Sequence, residues 1–226
     1  MRIALFLSLI LCLSALTFGQ NELAPIVEKE FEYKNWTYNN LNSEGTTELR
    51  EFAKGKKLVM VVYWAPWCMN WRYDYKFVQE LHEKYGKDGL AIIGVGEYDP
   101  VESMKNSYAF NKLTFPSVYE TTSRSQRQSS DHFKQRGLTG DRRGWGTPWY
   151  VFLTPDIIEA KGDVIAKKAN VVSGELMREE TEKFIRTKLG LDAKAEKAEK
   201  TVAVANAEID VCDPAKVSKA LVKPKP

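Results

Sequence analysis

The stretch Trp64–Trp71 (WAPWCMNW) contains one cysteine, Cys68, directly after the apolar run Leu58–Tyr63. The run predicts a buried strand and the residues after Cys68 predict a helix, so this cysteine is expected at a strand-to-helix junction. Backbone N–H groups in a first helical turn have no partner within the helix and stabilise negative charge. A thiol in that place is favoured as a thiolate, which is the nucleophile of disulfide exchange. The alternative is a buried structural cysteine.

Few other residues offer chemistry of their own. The 226 residues carry a net charge of +3 with both signs mixed along the chain, which gives no electrostatic case for nucleic acid. The two histidines, His82 and His132, are not spaced with cysteines as a metal site requires, and no phosphate-binding glycine motif occurs. We therefore expect no metal and no cofactor, and we assign His132 no catalytic role.

The N-terminal residues 1–19 have the pattern of a secretory signal peptide. Arg2 supplies a positive start, Ile3–Leu16 is apolar, and Thr17–Gly19 offers small residues for cleavage after Gly19. The alternative is a retained membrane anchor, because the apolar stretch is close to the shortest length that spans a bilayer. We expect export to the periplasm or to the outside of the cell, with no stable membrane insertion once the signal is removed.

Alternating strands and helices are predicted to position Cys68. Apolar residues recur at helical spacing from Trp71 to Tyr85, and a closing helix is predicted over Arg178–Leu189. Buried strands are predicted at four places: Leu58–Trp64, Leu90–Val95, Trp149–Leu153 and Val164–Val172. Strands that alternate with helices indicate an α/β fold, in which helices cover the faces of one sheet.

Differences in amino-acid composition suggest how the chain after the signal-like segment is organised. Residues 20–190 form the predicted domain, which starts with an extended lead-in. Within it, residues 121–146 are a polar insertion with six Lys/Arg against two Asp, expected to be a solvated surface loop or a lid. Residues 191–226 are biased to alanine, lysine and glutamate and are expected to be a flexible, low-complexity tail.

The WAPWCMNW stretch after LVMVVY resembles the thioredoxin superfamily, where Trp-Cys-x-x-Cys occupies this junction. The lead-in, Phe115–Pro116 and the insertion before Thr147–Pro148 are similar to the exported TlpA-like (redoxin) branch. Members of that branch are thiol-disulfide oxidoreductases that reduce disulfides outside the cytoplasm. The resemblance covers residues 31–189. It implies a thioredoxin-like fold with a central mixed sheet flanked by helices, and protein or small-molecule thiols and disulfides as partners.

The resemblance also implies roles for individual residues. Cys68 matches the attacking cysteine, and Trp67 matches the aromatic residue before it. Gly144–Trp149 is similar to the cis-proline loop of the family, which makes Pro148 the candidate cis-proline. Thr147, directly before it, would offer backbone groups to an extended substrate.

Two positions depart from the family pattern. Trp71 stands where the second cysteine of the motif would be, so it cannot resolve a mixed disulfide. Val62 stands where thioredoxins keep a buried carboxylate, although TlpA-like proteins often lack it. Trp71 also lies on the apolar stripe of its helix, where a packing role is expected. Ordinary dithiol exchange within one site is therefore excluded.

Three functional hypotheses follow. In the first, Cys68 forms mixed disulfides that are released by an external thiol or by Cys212, the other cysteine left after removal of the signal; a stable Cys68–Cys212 bond is equally conceivable. In the second, the fold is a redox-inactive module that binds an extended peptide. The third, a peroxidase, is less favoured because Ala65 stands where peroxiredoxins place Thr or Ser and Pro66 is misplaced.

Overall fold

The computed structural model describes residues 22–192, which contain ten strands and five α-helices in an α/β arrangement. The strands are β1 (Leu23–Ala24), β2 (Val27–Lys34), β3 (Thr37–Asn40), β4 (Thr46–Glu48), β5 (Leu58–Trp64), β6 (Leu90–Gly96), β7 (Ser117–Tyr119), β8 (Trp149–Leu153), β9 (Val164–Val172) and β10 (Glu175–Leu176). The α-helices are α1 (Leu49–Ala53), α2 (Met69–Tyr85), α3 (Val101–Phe110), α4 (Asp131–Leu138) and α5 (Arg178–Leu189). The α/β fold with a central mixed sheet flanked by helices is confirmed.

The main sheet has eight strands in the order β2-β9-β8-β5-β6-β7-β3-β4. At its centre β5 runs parallel to β6 and antiparallel to β8, and every residue of these three strands is buried. They are apolar runs without alternation because helices or loops cover both faces. The four strands predicted from the sequence are confirmed as β5, β6, β8 and β9. The lead-in supplies both edges, with β2 pairing to β9 and β3 pairing to β7.

Two hydrophobic cores lie on opposite faces of the sheet. One face of β5, including Met60, Val62 and Trp64, packs with α2, α3 and α5. The other face, including Val61 and Tyr63, packs with β2 and α1. This division follows from the geometry of the elements. Successive side chains of β5 point to opposite faces of the sheet, so β5 contributes to both cores, whereas each of the three helices presents one apolar face to the first core.

The helix that follows Cys68 is α2, and it is held by an apolar face. Its buried residues are Trp71, Asp74, Phe77, Val78, Leu81 and Tyr85. Of the stripe expected from the sequence, Tyr75 is only half-buried. Phe77 and Asp74 are the two buried residues that lie outside the predicted stripe, and Asp74 is the only polar member of the buried set.

The insertion over residues 121–146 is more ordered than a solvated loop. It contains a 3-10 helix, Arg124–Ser129, followed by α4. Ser130 caps α4 by accepting the Phe133 N–H, and the Glu120 carboxylate accepts the N–H groups of the first two residues of the helix. The ring of His132 stacks on Tyr63 at 4.8 Å, so this segment covers part of the second face of the sheet.

Within residues 22–192 we find no helix of the length and apolarity that crossing a membrane requires.

Candidate active site

Cys68 lies at the point where β5 gives way to α2, directly before the first residue of the helix. It has the extended backbone of an N-cap residue, and its carbonyl accepts the Arg72 N–H at 3.1 Å. No acidic residue lies in the first turn of α2, so nothing there opposes negative charge on the sulfur. Only 9% of Cys68 is exposed, and within the described residues it is not in a disulfide.

The thiol of Cys68 contacts the loop before β8. Its Sγ lies 3.1 Å from the Thr147 carbonyl oxygen, to which the S–H donates. The Thr147–Pro148 peptide bond is cis. The Thr147 hydroxyl is buried and has no hydrogen-bond partner among residues 22–192. The fold thus brings Cys68 next to the Thr147–Pro148 pair, although Cys68 and Thr147 are 79 residues apart in the sequence.

A cavity of about 370 Å³ opens beside the sulfur. It is lined by both segments, with Trp67 and Met69 on the side of α2 and Trp145 and Thr147 on the side of the loop. Glu22 borders it as well, where its carboxylate accepts from the Asn70 amide at 2.9 Å. The volume lies at the lower end of the range for small-molecule sites.

Arginines of the insertion hold the loop that carries Thr147. Arg127 Nη1 donates to the Gly144 carbonyl at 2.8 Å, and Arg136 Nη2 donates to the same oxygen at 3.3 Å. Arg143 Nη2 donates at 3.0 Å to the carbonyls of Gly146 and of Pro148. A buried ion pair between Arg136 and Asp141, 3.3 Å apart, fixes this scaffold. The basic character of the insertion is therefore used largely to satisfy backbone carbonyls of the loop.

The tryptophans near Cys68 fall into two groups. Trp64, Trp71 and Trp149 are fully buried core residues. Trp67 and Trp145 are half-buried and meet at the mouth of the cavity, with ring centroids 5.1 Å apart in an edge-to-face arrangement. The first group therefore belongs to the aromatic core, and the second lines the mouth of the cavity.

Trp71 is part of the core under Cys68. It is 1% exposed, and its ring lies 5.7 Å from that of Trp64. The indole fills the space directly below the start of α2, and its N–H has no partner in the described residues.

Asp74 is a buried carboxyl group near the site that we did not anticipate from the sequence. One of its oxygens accepts the Tyr150 hydroxyl at 2.6 Å and the Leu176 N–H at 2.9 Å, while the other has no partner in the described residues. Burial raises the pKa of Asp74 from 3.8 to about 6, against the lowering effect of these two hydrogen bonds.

Tyr150, on β8, links the Asp74 carboxyl group of α2 to the centre of the sheet. It lies opposite Val62 in the pairing of β5 with β8. Burial and the charge of Asp74 raise its pKa well above 10, and charge on Cys68 acts in the same direction. The helical spacing from Trp71 and Val78 places Asp74 on the buried face of α2, but the sequence gives no sign of its distant donors, Tyr150 and Leu176.

Comparison with known proteins decides the fold. The model of the AhpC/TSA family matches residues 29–136, slightly less than half of the chain. A DsbF homologue from Corynebacterium diphtheriae superposes with a TM-score of 0.50 at 18% identity, covering 76% of this chain and 95% of that chain. A secreted thiol-disulfide isomerase from Corynebacterium glutamicum gives a TM-score of 0.51 at 16% identity, covering 72% and 92%. This chain has a thioredoxin fold. No curated protein matches its sequence.

The expected thioredoxin-like fold is therefore confirmed. In this thioredoxin-fold protein Cys68 lies between the central strand β5 and α2, and Pro148 lies directly before the neighbouring antiparallel strand β8.

His132 of the thioredoxin-fold protein lies away from Cys68, on the second face of the sheet. Its Nδ1 is 2.7 Å from the Tyr98 hydroxyl, and its ring packs on Tyr63 and Trp149. Burial lowers the pKa of His132 well below 6.5, so the ring is neutral at pH 7.

A buried acidic pair anchors the insertion of the thioredoxin-fold protein. Glu97 accepts from the Thr121 hydroxyl, and Glu120 accepts the N–H groups of Asp131 and His132. Burial is the main cause that raises the pKa of both carboxyl groups, that of Glu97 well above 4.5. No cluster of three or more potential metal ligands occurs within the described part of the chain.

Three predictions from the sequence fall outside the described residues. These are the role of Cys212, the signal peptide over residues 1–19, and the tail over residues 191–226 apart from its first two residues. A pairing of Cys68 with Cys212 therefore stays a prediction.

Proposed function

We propose that this protein is an exported thiol-disulfide oxidoreductase that acts through one nucleophilic cysteine, Cys68. The observation that carries the proposal is the contact of the Cys68 thiol with the Thr147 carbonyl, directly before the cis bond to Pro148 and beside an open cavity. A nucleophile, a backbone edge that can pair with an extended peptide, and space for a substrate are thereby combined in one place.

The chemical step is the attack of the Cys68 thiolate on one sulfur of a substrate disulfide. A new S–S bond forms between Cys68 and that sulfur, the substrate S–S bond breaks, and the second substrate sulfur leaves as a thiolate. Unpaired N–H groups at the start of α2 stabilise the negative charge before the attack. Loss of the Cys68 proton also frees the Thr147 carbonyl, which then can accept an N–H of the bound substrate.

Release of the mixed disulfide needs a thiol from elsewhere, since Trp71 stands in the core below Cys68 and carries no sulfur. An external thiol would attack the substrate sulfur of the mixed disulfide, which forms a new disulfide with the substrate and regenerates the Cys68 thiolate. Cys212 on the tail would instead attack the Cys68 sulfur, which forms a Cys68–Cys212 disulfide and releases the substrate as a thiolate; an external dithiol would then reduce that disulfide and itself become a disulfide. Either route conserves electrons, because one disulfide is broken for each one formed.

Export is part of the proposal. Residues 1–19 carry the signal-like pattern, and one of the proteins of similar fold is described as secreted. Periplasmic or extracellular placement also fits a protein whose proposed substrates are disulfides, which persist in oxidising compartments.

The test is intact-mass spectrometry of the signal-free Cys212→Ser protein after incubation with 2-hydroxyethyl disulfide. We expect one adduct, which additional Cys68→Ser abolishes and which a thiol reductant removes. An adduct of the same yield in Cys68→Ser would show that Cys68 is not the nucleophile.

A second candidate function is a binding module without redox activity. It is favoured by the low exposure of Cys68, 9%, and by its hydrogen bond to Thr147, both of which restrain the thiol. Under this hypothesis Cys68→Ser would keep full affinity for a partner peptide, whereas the oxidoreductase hypothesis predicts that the covalent complex disappears.

A further inference from the structure

A second cavity lies on the other side of Trp67 from the one beside Cys68. Its volume is about 780 Å³, within the range of small-molecule sites. It is bounded by the start of α2 and by α3. The residues that matter for its chemistry are Pro66, Trp67, Arg72, Asp99, Phe110 and Arg124. Trp67 forms the wall between the two cavities, so a ligand in the larger one is separated from Cys68 by a single side chain.

Arg124 presents an uncommitted guanidinium to this cavity. It lies over the ring of Trp67, 4.6 Å from the centroid, and 5.9 Å from the centroid of Trp145. Unlike Arg127 and Arg143, which donate to carbonyls of the loop before β8, Arg124 has no side-chain hydrogen bond or ion pair within residues 22–192. Its position is fixed by stacking, and its N–H groups stay available.

Arg72, on α2, adds a second positive charge to the lining. Its Nε donates to the Pro66 carbonyl at 3.3 Å and its Nη1 approaches the Met69 sulfur at 3.9 Å. No carboxylate pairs with it in the described part of the chain. Asp99 is the one acidic residue of the lining, and its carboxylate accepts from the Ser103 hydroxyl. The lining therefore contains two guanidinium groups and one carboxylate, and that carboxylate already accepts a hydrogen bond from Ser103.

This arrangement suits a carboxylate group. A guanidinium is planar, remains charged at every accessible pH and binds carboxylates with two parallel hydrogen bonds. A guanidinium stacked on an aromatic ring loses little conformational freedom when it binds, because the ring already restricts it. Positive charge beside a nucleophile also raises the encounter rate with anionic reactants.

We infer that the cavity between α2 and α3 binds a carboxylate carried close to the sulfur of the substrate, and that Arg72 and Arg124 select anionic thiols and disulfides for Cys68. The inference rests on the proposed function of Cys68. The reaction is the exchange described above: the anionic disulfide transfers one half to Cys68, and its other half leaves as an anionic thiolate. The carboxylate belongs either to a small-molecule substrate or to an acidic residue that lies beside a cysteine in a polypeptide substrate.

The experiment compares three small disulfides of different charge on the signal-free protein with Cys212→Ser. The probes are 3,3′-dithiodipropionate (anionic), 2-hydroxyethyl disulfide (neutral) and cystamine (cationic), and the readout is the rate of adduct formation by mass spectrometry. We expect the anionic probe to react at least about tenfold faster than the cationic one at low salt, and the ratio to fall in 0.5 M salt. Disulfide peptides with glutamate or glutamine next to the cysteine separate the polypeptide source from the small-molecule source.

Matched variants locate the effect. Arg124→Gln and Arg72→Gln should each slow the anionic probe several-fold more than they slow the neutral probe. Lys56→Gln removes the same charge from an exposed position before β5, at the opposite end of that strand from Cys68, and should change neither rate.

Failure of the inference is distinguishable from failure of the proposed function. Suppose that the neutral probe labels Cys68. If the anionic probe then reacts no faster than the cationic probe, or if Lys56→Gln slows the anionic probe as much as Arg124→Gln does, the carboxylate site is refuted and the oxidoreductase function stands. If no probe labels Cys68, both are refuted.

Discussion

At the scale of single residues, Trp71 and Asp74 are the two buried residues of α2 that matter most for the interior near Cys68. Trp71 fills the core, and Asp74 brings a carboxyl group into the same interior. The sequence indicated the packing role of Trp71 through the apolar stripe of α2. It did not indicate Asp74, because its partners Tyr150 and Leu176 are 76 and 102 residues away and only the folded chain brings them together.

Removal of the Trp71 side chain tests its packing role. We expect Trp71→Ala to lower the free energy of unfolding by about 3–5 kcal/mol, because truncation of a buried tryptophan leaves a large cavity. Trp67→Ala is the matched control, since Trp67 is half-exposed at the mouth and its loss should cost clearly less. Urea denaturation measures both, and equal costs would contradict the assignment of Trp71 to the core.

The raised pKa of Asp74 predicts a pH dependence of stability. Because the pKa is about 6 in the folded chain against 3.8 for the ordinary carboxyl group, the folded state binds this proton more tightly than the unfolded state. The corresponding stabilisation is complete below pH 3.8 and is lost as the pH rises through 6.

Asp74→Asn keeps an oxygen acceptor for Tyr150 and Leu176 and removes the titration. The stability of the wild type relative to Asp74→Asn should therefore fall as the pH rises from about 4 to about 7, by up to about 3 kcal/mol. Urea denaturation across this range measures the difference. A difference that is constant or rises with pH would show that the pKa of Asp74 is not raised.

At the scale of elements, the insertion over residues 121–146 is the main departure from what composition predicts. Its polar sequence predicts a solvated loop, yet it forms α4 and supplies the arginines that hold the loop before β8. Composition cannot distinguish a solvated arginine from Arg136, which is 1% exposed and paired with Asp141. That distinction depends on contacts between segments, which local sequence does not reveal.

Gly146 tests how closely the insertion supports this loop. It has a φ of 70°, and a Cβ at this position would overlap the Arg136 guanidinium. We expect Gly146→Ala to lower the free energy of unfolding by about 2–4 kcal/mol, from backbone strain together with overpacking. Gly140→Ala is the control, because Gly140 has a φ of 89° but open space around it, so only strain of about 1–2 kcal/mol applies.

Thermal or urea denaturation of the two glycine variants decides the point. If Gly146→Ala is no more destabilising than Gly140→Ala, Arg136 moves freely and does not support the loop.

At the scale of the whole molecule, the sequence predicted the centre of the fold better than its edges. The strands β5, β6, β8 and β9 follow from unbroken apolar runs, and α5 begins and ends where its periodicity predicts. The lead-in was expected only to be extended. Its division between the two edges of the sheet, β2 beside β9 and β3 beside β7, depends on pairing across more than 75 residues, which a local pattern does not encode.

The candidate site shows the same limit. Cys68 and its junction follow from the order of strand and helix, whereas the roles of Trp67, Thr147 and Pro148 came from the family resemblance. Their proximity to Cys68 is a property of the fold as a whole, since the junction after β5 and the loop before β8 are 79 residues apart at the contact between Cys68 and Thr147.

The most direct test of a one-cysteine mechanism is a complete cycle in the signal-free Cys212→Ser protein. The measurement follows formation of the mixed disulfide with 2-hydroxyethyl disulfide, its release by an added monothiol, and labelling of the regenerated thiol over repeated rounds. The account predicts that Cys212→Ser completes each round and that additional Cys68→Ser abolishes all labelling. A mixed disulfide that the added thiol cannot release, or no mixed disulfide at all, would contradict it.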